Sequence, residues 1–90
     1  MYRICSLSVG VIQMCLNAYT GSVPIQNPET DRYQICQVSA GVVGFCGMSY
    51  TGQTVLLSES DSRYHTCHLS AGVVQSCEAT SYTGYVPVQR

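Results

Sequence analysis

One pattern, written three times, constrains this chain more than anything else in it. Tyr2, Tyr33 and Tyr64 recur at a spacing of 31 residues. Each opens the same series: a cysteine (Cys5, Cys36, Cys67), an aliphatic residue (Leu7, Val38, Leu69), a serine, a glycine (Gly10, Gly41, Gly72), two branched aliphatics and a second cysteine (Cys15, Cys46, Cys77). Tyr-Thr-Gly then follows at 19–21, 50–52 and 82–84, with one extra residue before it in the third copy. Tails reading "SVPIQ", "QTVLL" and "YVPVQ" complete the copies, and "NPETDR" and "SESDSR" join them. A unit this short cannot bury its own apolar face, so the copies must close against one another. The chain reads as one domain, 1–90, of three repeats: 1–32, 33–63 and 64–90. The last copy stops at Arg90, directly after its tail, which suggests a closed ring of three units rather than an open stack.

Each unit reads as β structure. "RYQICQVSAGVVGFC" combines branched residues, alternation and a Ser-Ala-Gly break, a hairpin signal. Cysteines ten apart with glycine midway are expected to face each other across a hairpin with an odd-numbered loop. Tyr-Thr-Gly reads as a turn whose glycine takes the positive φ that a type II turn demands. The tail is a third short strand, and Pro24 and Pro87 place it at a sheet edge, because proline cannot donate to the ladder. The expected fold is all-β, three units around a pseudo-threefold axis, β-prism-like and disulfide-stapled; a β-trefoil-like barrel is the alternative. The expected inward residues are Ile4, Leu7, Val11, Ile12, Val23 and Ile25 with their counterparts.

Six cysteines in 90 residues suggest disulfides and an oxidising, extracellular setting. Two symmetrical pairings stand out. One lies within copies (Cys5–Cys15, Cys36–Cys46, Cys67–Cys77) and is favoured by the hairpin geometry. The other links successive copies (Cys15–Cys36, Cys46–Cys67, Cys77–Cys5). Reduced, buried cysteines are the third reading.

Four Arg against five acids, with no Lys, argue against nucleic acid, which needs clustered cations. No apolar run approaches the roughly 20 residues that span a bilayer. "MYRICSLSVGVIQMCLNA" has the look of a signal peptide, but the same pattern recurs at 33–50 and 64–82, so it is read as part of the fold. His65, Cys67, His68 and Cys77 are residue types of a zinc site. The cysteines recur in every copy and the histidines do not, so disulfides explain them better, and no metal or cofactor is expected. His65 and His68 are expected on the strand face opposite Cys67. With no Gly-x-Ser-x-Gly and a Cys–His pair in one copy alone, the chain is not expected to be an enzyme. The acidic joining loops are read as solvated connections.

Seven Tyr with one Phe and no Trp suit half-wet surfaces, since tyrosine joins an apolar ring to a polar tip. A sugar offers an apolar C–H face and a rim of hydroxyls, and needs a flat aromatic with a few fixed donors and acceptors. Tyr19, Tyr50 and Tyr82 with Thr20, Thr51 and Thr83 form one candidate set of sugar-binding residues. Asp31, Tyr33, Asp61, Tyr64 and His65 form a second, around the repeat starts. The alternative for the first set is a turn inherited by duplication. The second of three sites is expected to be weakest, because Leu57 stands where the other tails have Gln26 and Gln89.

In layout, with three short β units each carrying Tyr-Thr-Gly and a cysteine pair, the chain resembles the small repeat-built lectins of marine algae or invertebrates. The monocot mannose-lectin signature is absent. The resemblance implies a secreted agglutinin that binds glycans or glycoproteins multivalently, without membrane insertion. The expected ligands are neutral glycans of the galactose or N-acetylgalactosamine type. The edge strands leave a homo-oligomer, such as a dimer, open. The alternative function is a small disulfide-rich defence protein, either a protease inhibitor or a toxin.

Overall fold

The computed structural model describes residues 1–90 as nine strands and no helix. They are β1 (Tyr2–Ser8), β2 (Val11–Ala18), β3 (Gly21–Gln26), β4 (Tyr33–Ser39), β5 (Val42–Ser49), β6 (Gly52–Ser58), β7 (Arg63–Ser70), β8 (Val73–Ser81) and β9 (Gly84–Gln89). No helix is long and apolar enough to cross a membrane. The strands form three antiparallel three-stranded sheets, β2-β1-β9, β3-β4-β5 and β6-β7-β8. Each tail therefore pairs with the first strand of another repeat, β3 with β4 and β6 with β7, while β9 returns to β1. The Arg90 N–H also donates to the Met1 carbonyl at 2.8 Å, so the two ends of the chain lie together. Pro24 and Pro87 lie on the edge strands β3 and β9, where no ladder needs their missing N–H. The three sheets are not joined edge to edge, which removes the β-trefoil-like barrel.

The hairpins differ in one respect from the expected odd-numbered loop. Their turns hold two residues, Val9-Gly10, Ala40-Gly41 and Ala71-Gly72, all with φ between 49° and 83°. Two successive residues at positive φ make the turn whose twist matches that of the flanking strands. A two-residue loop alone would not set residues ten apart opposite each other. A bulge corrects the register: Val38 opposes Val43, but Gln37 opposes Phe45, so Gly44 is the additional residue. Gln13 and Gln75 take this position in the other hairpins. The shift brings Cys36 opposite Cys46, and the disulfides are Cys5–Cys15, Cys36–Cys46 and Cys67–Cys77.

Each hairpin turn docks on a neighbouring unit through a closed triangle of backbone hydrogen bonds. The Tyr33 N–H donates to the Gly72 carbonyl, Gly72 donates to Tyr50, and Tyr50 donates back to Tyr33, each at 2.8 Å. Tyr2, Gly41 and Tyr19 form a second triangle, and Tyr64, Gly10 and Tyr82 a third. The threonine between Tyr and Gly caps the same turn: Thr51 Oγ1 accepts the Ala71 N–H at 2.9 Å. Thr20 does this for Ala40 and Thr83 for Val9, also at 2.9 Å. A side chain at Gly72 would bring its Cβ to 2.8 Å from the Tyr33 carbonyl oxygen, so the fit requires glycine.

Tyr-Thr-Gly is thus a docking device rather than a type II turn. Its glycine begins a strand at φ 146–150°, not near the +80° of such a turn. The preceding tyrosine folds back over that glycine. A Cβ on Gly21 would lie 2.7 Å from the Tyr19 hydroxyl oxygen.

The core is thin and lies on one face of each central strand. Cys5, Leu7, Cys36, Val38, Cys67 and Leu69 are buried, joined by Val23 and Val86 from the tails. Leu7 and Val23 are inward as expected. Ile4 is only half-buried, because period-two alternation puts it on the face opposite Cys5 and Leu7. Val11 is exposed, since the hairpins' second strands are outer edges, and Ile12 and Ile25 are half-buried. Val23 sits opposite Cys36 and Val86 opposite Cys5, but the matching partner of Cys67 is Thr54.

Two identical changes three residues apart are expected to have opposite signs. Thr51→Val removes the acceptor for the Ala71 N–H and lowers stability by about 1 kcal/mol. Thr54→Val places a methyl where the other two sheets bury valine and raises stability by about 0.8 kcal/mol. Urea denaturation midpoints of the two variants against the parent measure both.

Candidate functional site

The docking of the hairpins leaves clefts at the seams between sheets. The largest, about 610 Å³, lies between the β1–β2 hairpin and the start of β7. Ile12 and Met14 line its hairpin side and Tyr64 and Leu57 the other, with Arg3, Gln13, Ser62 and Arg90 as polar groups. A second cleft of about 340 Å³ runs among the three tails, with Val23, Val55 and Val86 in its wall. Tyr64 and Leu57 line both, so Tyr64 stands where the two meet. A third, about 200 Å³ and mostly apolar, lies beside Tyr33 and Val74.

These clefts sort the candidate residues. The hydroxyls of Tyr19, Tyr50 and Tyr82 donate to the carbonyls of Ser22, Gln53 and Tyr85 at 2.8–3.1 Å. Thr20, Thr51 and Thr83 accept the turn N–H groups already described. The polar atoms of this first set therefore have partners within the chain, although the Tyr19 ring still lines the middle cleft. In the second set, Tyr64 and Tyr33 line different clefts.

Asp31 and Asp61 are not equivalent. Asp61 Oδ1 accepts the Arg63 N–H at 3.0 Å, as Thr30 Oγ1 accepts that of Arg32 at 3.3 Å. Asp31 corresponds instead to Ser62, and both take positive φ, 61° and 58°. The two aspartates lie one position apart in the repeat, so only Asp61 can reach its neighbouring histidine.

That contact forms the one buried polar cluster. His65 is 7% exposed and on the same strand face as Cys67 and Leu69, as residues two apart must be. His68 is on the opposite face, beside Glu78 at 3.7 Å. The expectation that both histidines oppose Cys67 holds for His68 alone. His65 Nδ1 lies 2.9 Å and 3.1 Å from the carbonyl oxygens of Glu78 and Thr80, and Nε2 is 2.9 Å from Asp61 Oδ2. Carbonyls and carboxylates only accept, so the protonated imidazolium, with a donor on each ring nitrogen, satisfies these contacts on both sides of the ring. The bulge that presents these carbonyls is wider than its counterparts. Between Cys67 and His65, β8 advances from Cys77 to Ser81, whereas β5 advances only from Cys46 to Ser49. The extra residue of the third copy is the sequence signal of this site, and its meaning depends on the register. With all six cysteines in disulfides, no group of three His, Cys, Asp or Glu side chains converges for a metal.

The chain matches no protein-family model, curated protein or solved structure.

The Asp61 carboxylate holds the His65 pKa above its ordinary 6.5, against the opposing effect of burial. In return, the imidazole N–H holds Asp61 below its ordinary 3.8. The histidine's contribution to stability is complete below pH 6.5 and is lost as pH rises through its raised pKa. The aspartate's is complete above pH 3.8 and is lost as pH falls through its lowered pKa. Between those values both are in place. His65→Gln should therefore lower the urea midpoint more at pH 5 than at pH 9. An equal loss at the two pH values would show that the imidazolium contributes nothing beyond its packing.

Proposed function

We propose that this protein is a secreted lectin whose principal sugar site is the cleft at Tyr64. The observation that carries the reading is that cleft of about 610 Å³, in which a half-buried tyrosine stands among Gln13, Ser62 and arginine side chains. The aromatic face suits the C–H face of a sugar, and the surrounding donors and acceptors suit its hydroxyls. The tyrosines whose hydroxyls fold back onto the backbone are Tyr19, Tyr50 and Tyr82, and Tyr64 is not among them. Tyr33 and Tyr19, on the smaller clefts, are secondary contacts.

The repeated sheet order and the three docking triangles support a pseudo-threefold, prism-like arrangement of the units. Its extents of 30 × 30 × 19 Å are those of a disc. Such a frame would present related seams around its rim, and weak sites on one rigid body gain avidity. The side chains differ at each seam, so the sites are unequal. Three disulfides in a domain this small are consistent with an extracellular protein. The protease-inhibitor alternative has less support, because the hairpin tips are docked on neighbouring units instead of displayed. Pairing between chains would fall to β5, an uncharged edge strand with Phe45 and Met48 69% and 79% exposed.

A glycan array with the oxidised protein tests the reading. Binding to a coherent set of sugars is expected, lost on reduction and weakened about tenfold in Tyr64→Ala, the scale of one aromatic contact. A blank array overturns the lectin reading and brings the inhibitor or toxin forward.

A further inference from the structure

The cleft at Tyr64 has cationic side chains on an otherwise slightly acidic molecule. It gathers Arg3 and Arg90, two of the four arginines in the chain, and no carboxylate side chain lines it. The protein's ion pairs are His65–Asp61 and His68–Glu78, so no arginine is neutralised by a carboxylate. Arg63 spends a guanidinium N–H on the Val9 carbonyl at 2.8 Å. The corresponding seam beside Tyr33 has no such charge. There the residue in register with Arg3 is His65, already bound to Asp61, and the cleft is about 200 Å³ and largely apolar. At the remaining seam that position is Gln34. The duplicated backbone therefore carries two arginines at one seam of three.

A guanidinium presents a planar fork of donors that matches a carboxylate or sulfate in bidentate fashion. Two of them beside a tyrosine ring fit a sugar with both an apolar face and an anionic substituent. We propose that the Tyr64 cleft selects acidic saccharides, carrying a carboxylate or a sulfate ester, over their neutral counterparts. This rests on the carbohydrate-binding reading and replaces neutral glycans as the expected ligand. With a net charge of −1, the molecule as a whole does not attract anions, so selection is local and weakens as salt screens it.

The test is a set of matched glycans, sialylated against desialylated and sulfated against desulfated, titrated with the parent, Arg3→Gln and Arg90→Gln. Arg3→Gln installs the residue that the second repeat already carries, and circular dichroism checks that it folds. The acidic member of at least one pair should bind about tenfold more tightly than its neutral counterpart, the scale of a charged hydrogen bond. The ratio should shrink with added salt and collapse in the variants. The responding pair identifies the anion as carboxylate or sulfate. Equal or better binding of neutral members overturns acid selectivity while leaving the lectin reading intact. A preference that survives in both variants overturns its assignment to this cleft. Binding of neither member of any pair overturns both readings together.

Discussion

The structure depends on a backbone contact: the N–H and C=O of a hairpin glycine inserted between two tyrosine backbones of another unit. Gly10, Gly41 and Gly72 each close such a triangle, so every hairpin tip is both the end of one sheet and an anchor for another. A buried backbone group without a partner is costly, and the N–H and C=O of each of these glycines are both taken up. The requirement explains the sequence around them. Glycine is needed because a side chain would strike the opposing backbone. Threonine supplies the acceptor for the turn's other N–H, and the tyrosine ring folds over the following glycine to begin the tail strand.

A second constraint is the shortage of core. The fully buried side chains are the three cysteines Cys5, Cys36 and Cys67, with leucines and valines around them. A domain of 90 residues with so few buried aliphatics resists unfolding weakly by burial alone. The disulfides restrict the unfolded chain, and the swapped tails tie each sheet to two repeats. β9 completes this pattern by pairing with β1, so the first sheet forms only when both ends of the chain are present.

The sequence repeat underlies the frame, and differences among its copies shape the cleft proposed as a site. The position of Arg3 carries Gln34 in the second unit and His65 in the third. The histidine is absorbed into a bulge with Asp61, where both of its ring nitrogens have partners within the chain. The arginine faces a cleft. Threefold repetition in a sequence need not mean three equal clefts, because some residues that differ among the copies, such as Arg3, line the seams.

Much of the fold was legible from the chain itself. The 31-residue spacing, the alternation and the cysteine pair in each copy pointed to three β units and the edge position of the proline-bearing tails, and favoured the within-hairpin disulfides over pairing between copies. These follow from local chemistry: strand alternation, turn residues and proline's missing donor. The tertiary structure alone decided three other matters. One was register, where a bulge residue between the turn and the second cysteine of each hairpin put the cysteines opposite each other. Another was the role of Tyr-Thr-Gly, whose partners lie in a different repeat and so leave no local trace. The last was the cleft proposed as the site. Arg3, Tyr64 and Arg90 are far apart in the chain and meet only because β9 pairs with β1 while the first hairpin docks on the third unit. Spacing along a sequence reports local geometry, whereas a cleft between sheets depends on which units are neighbours.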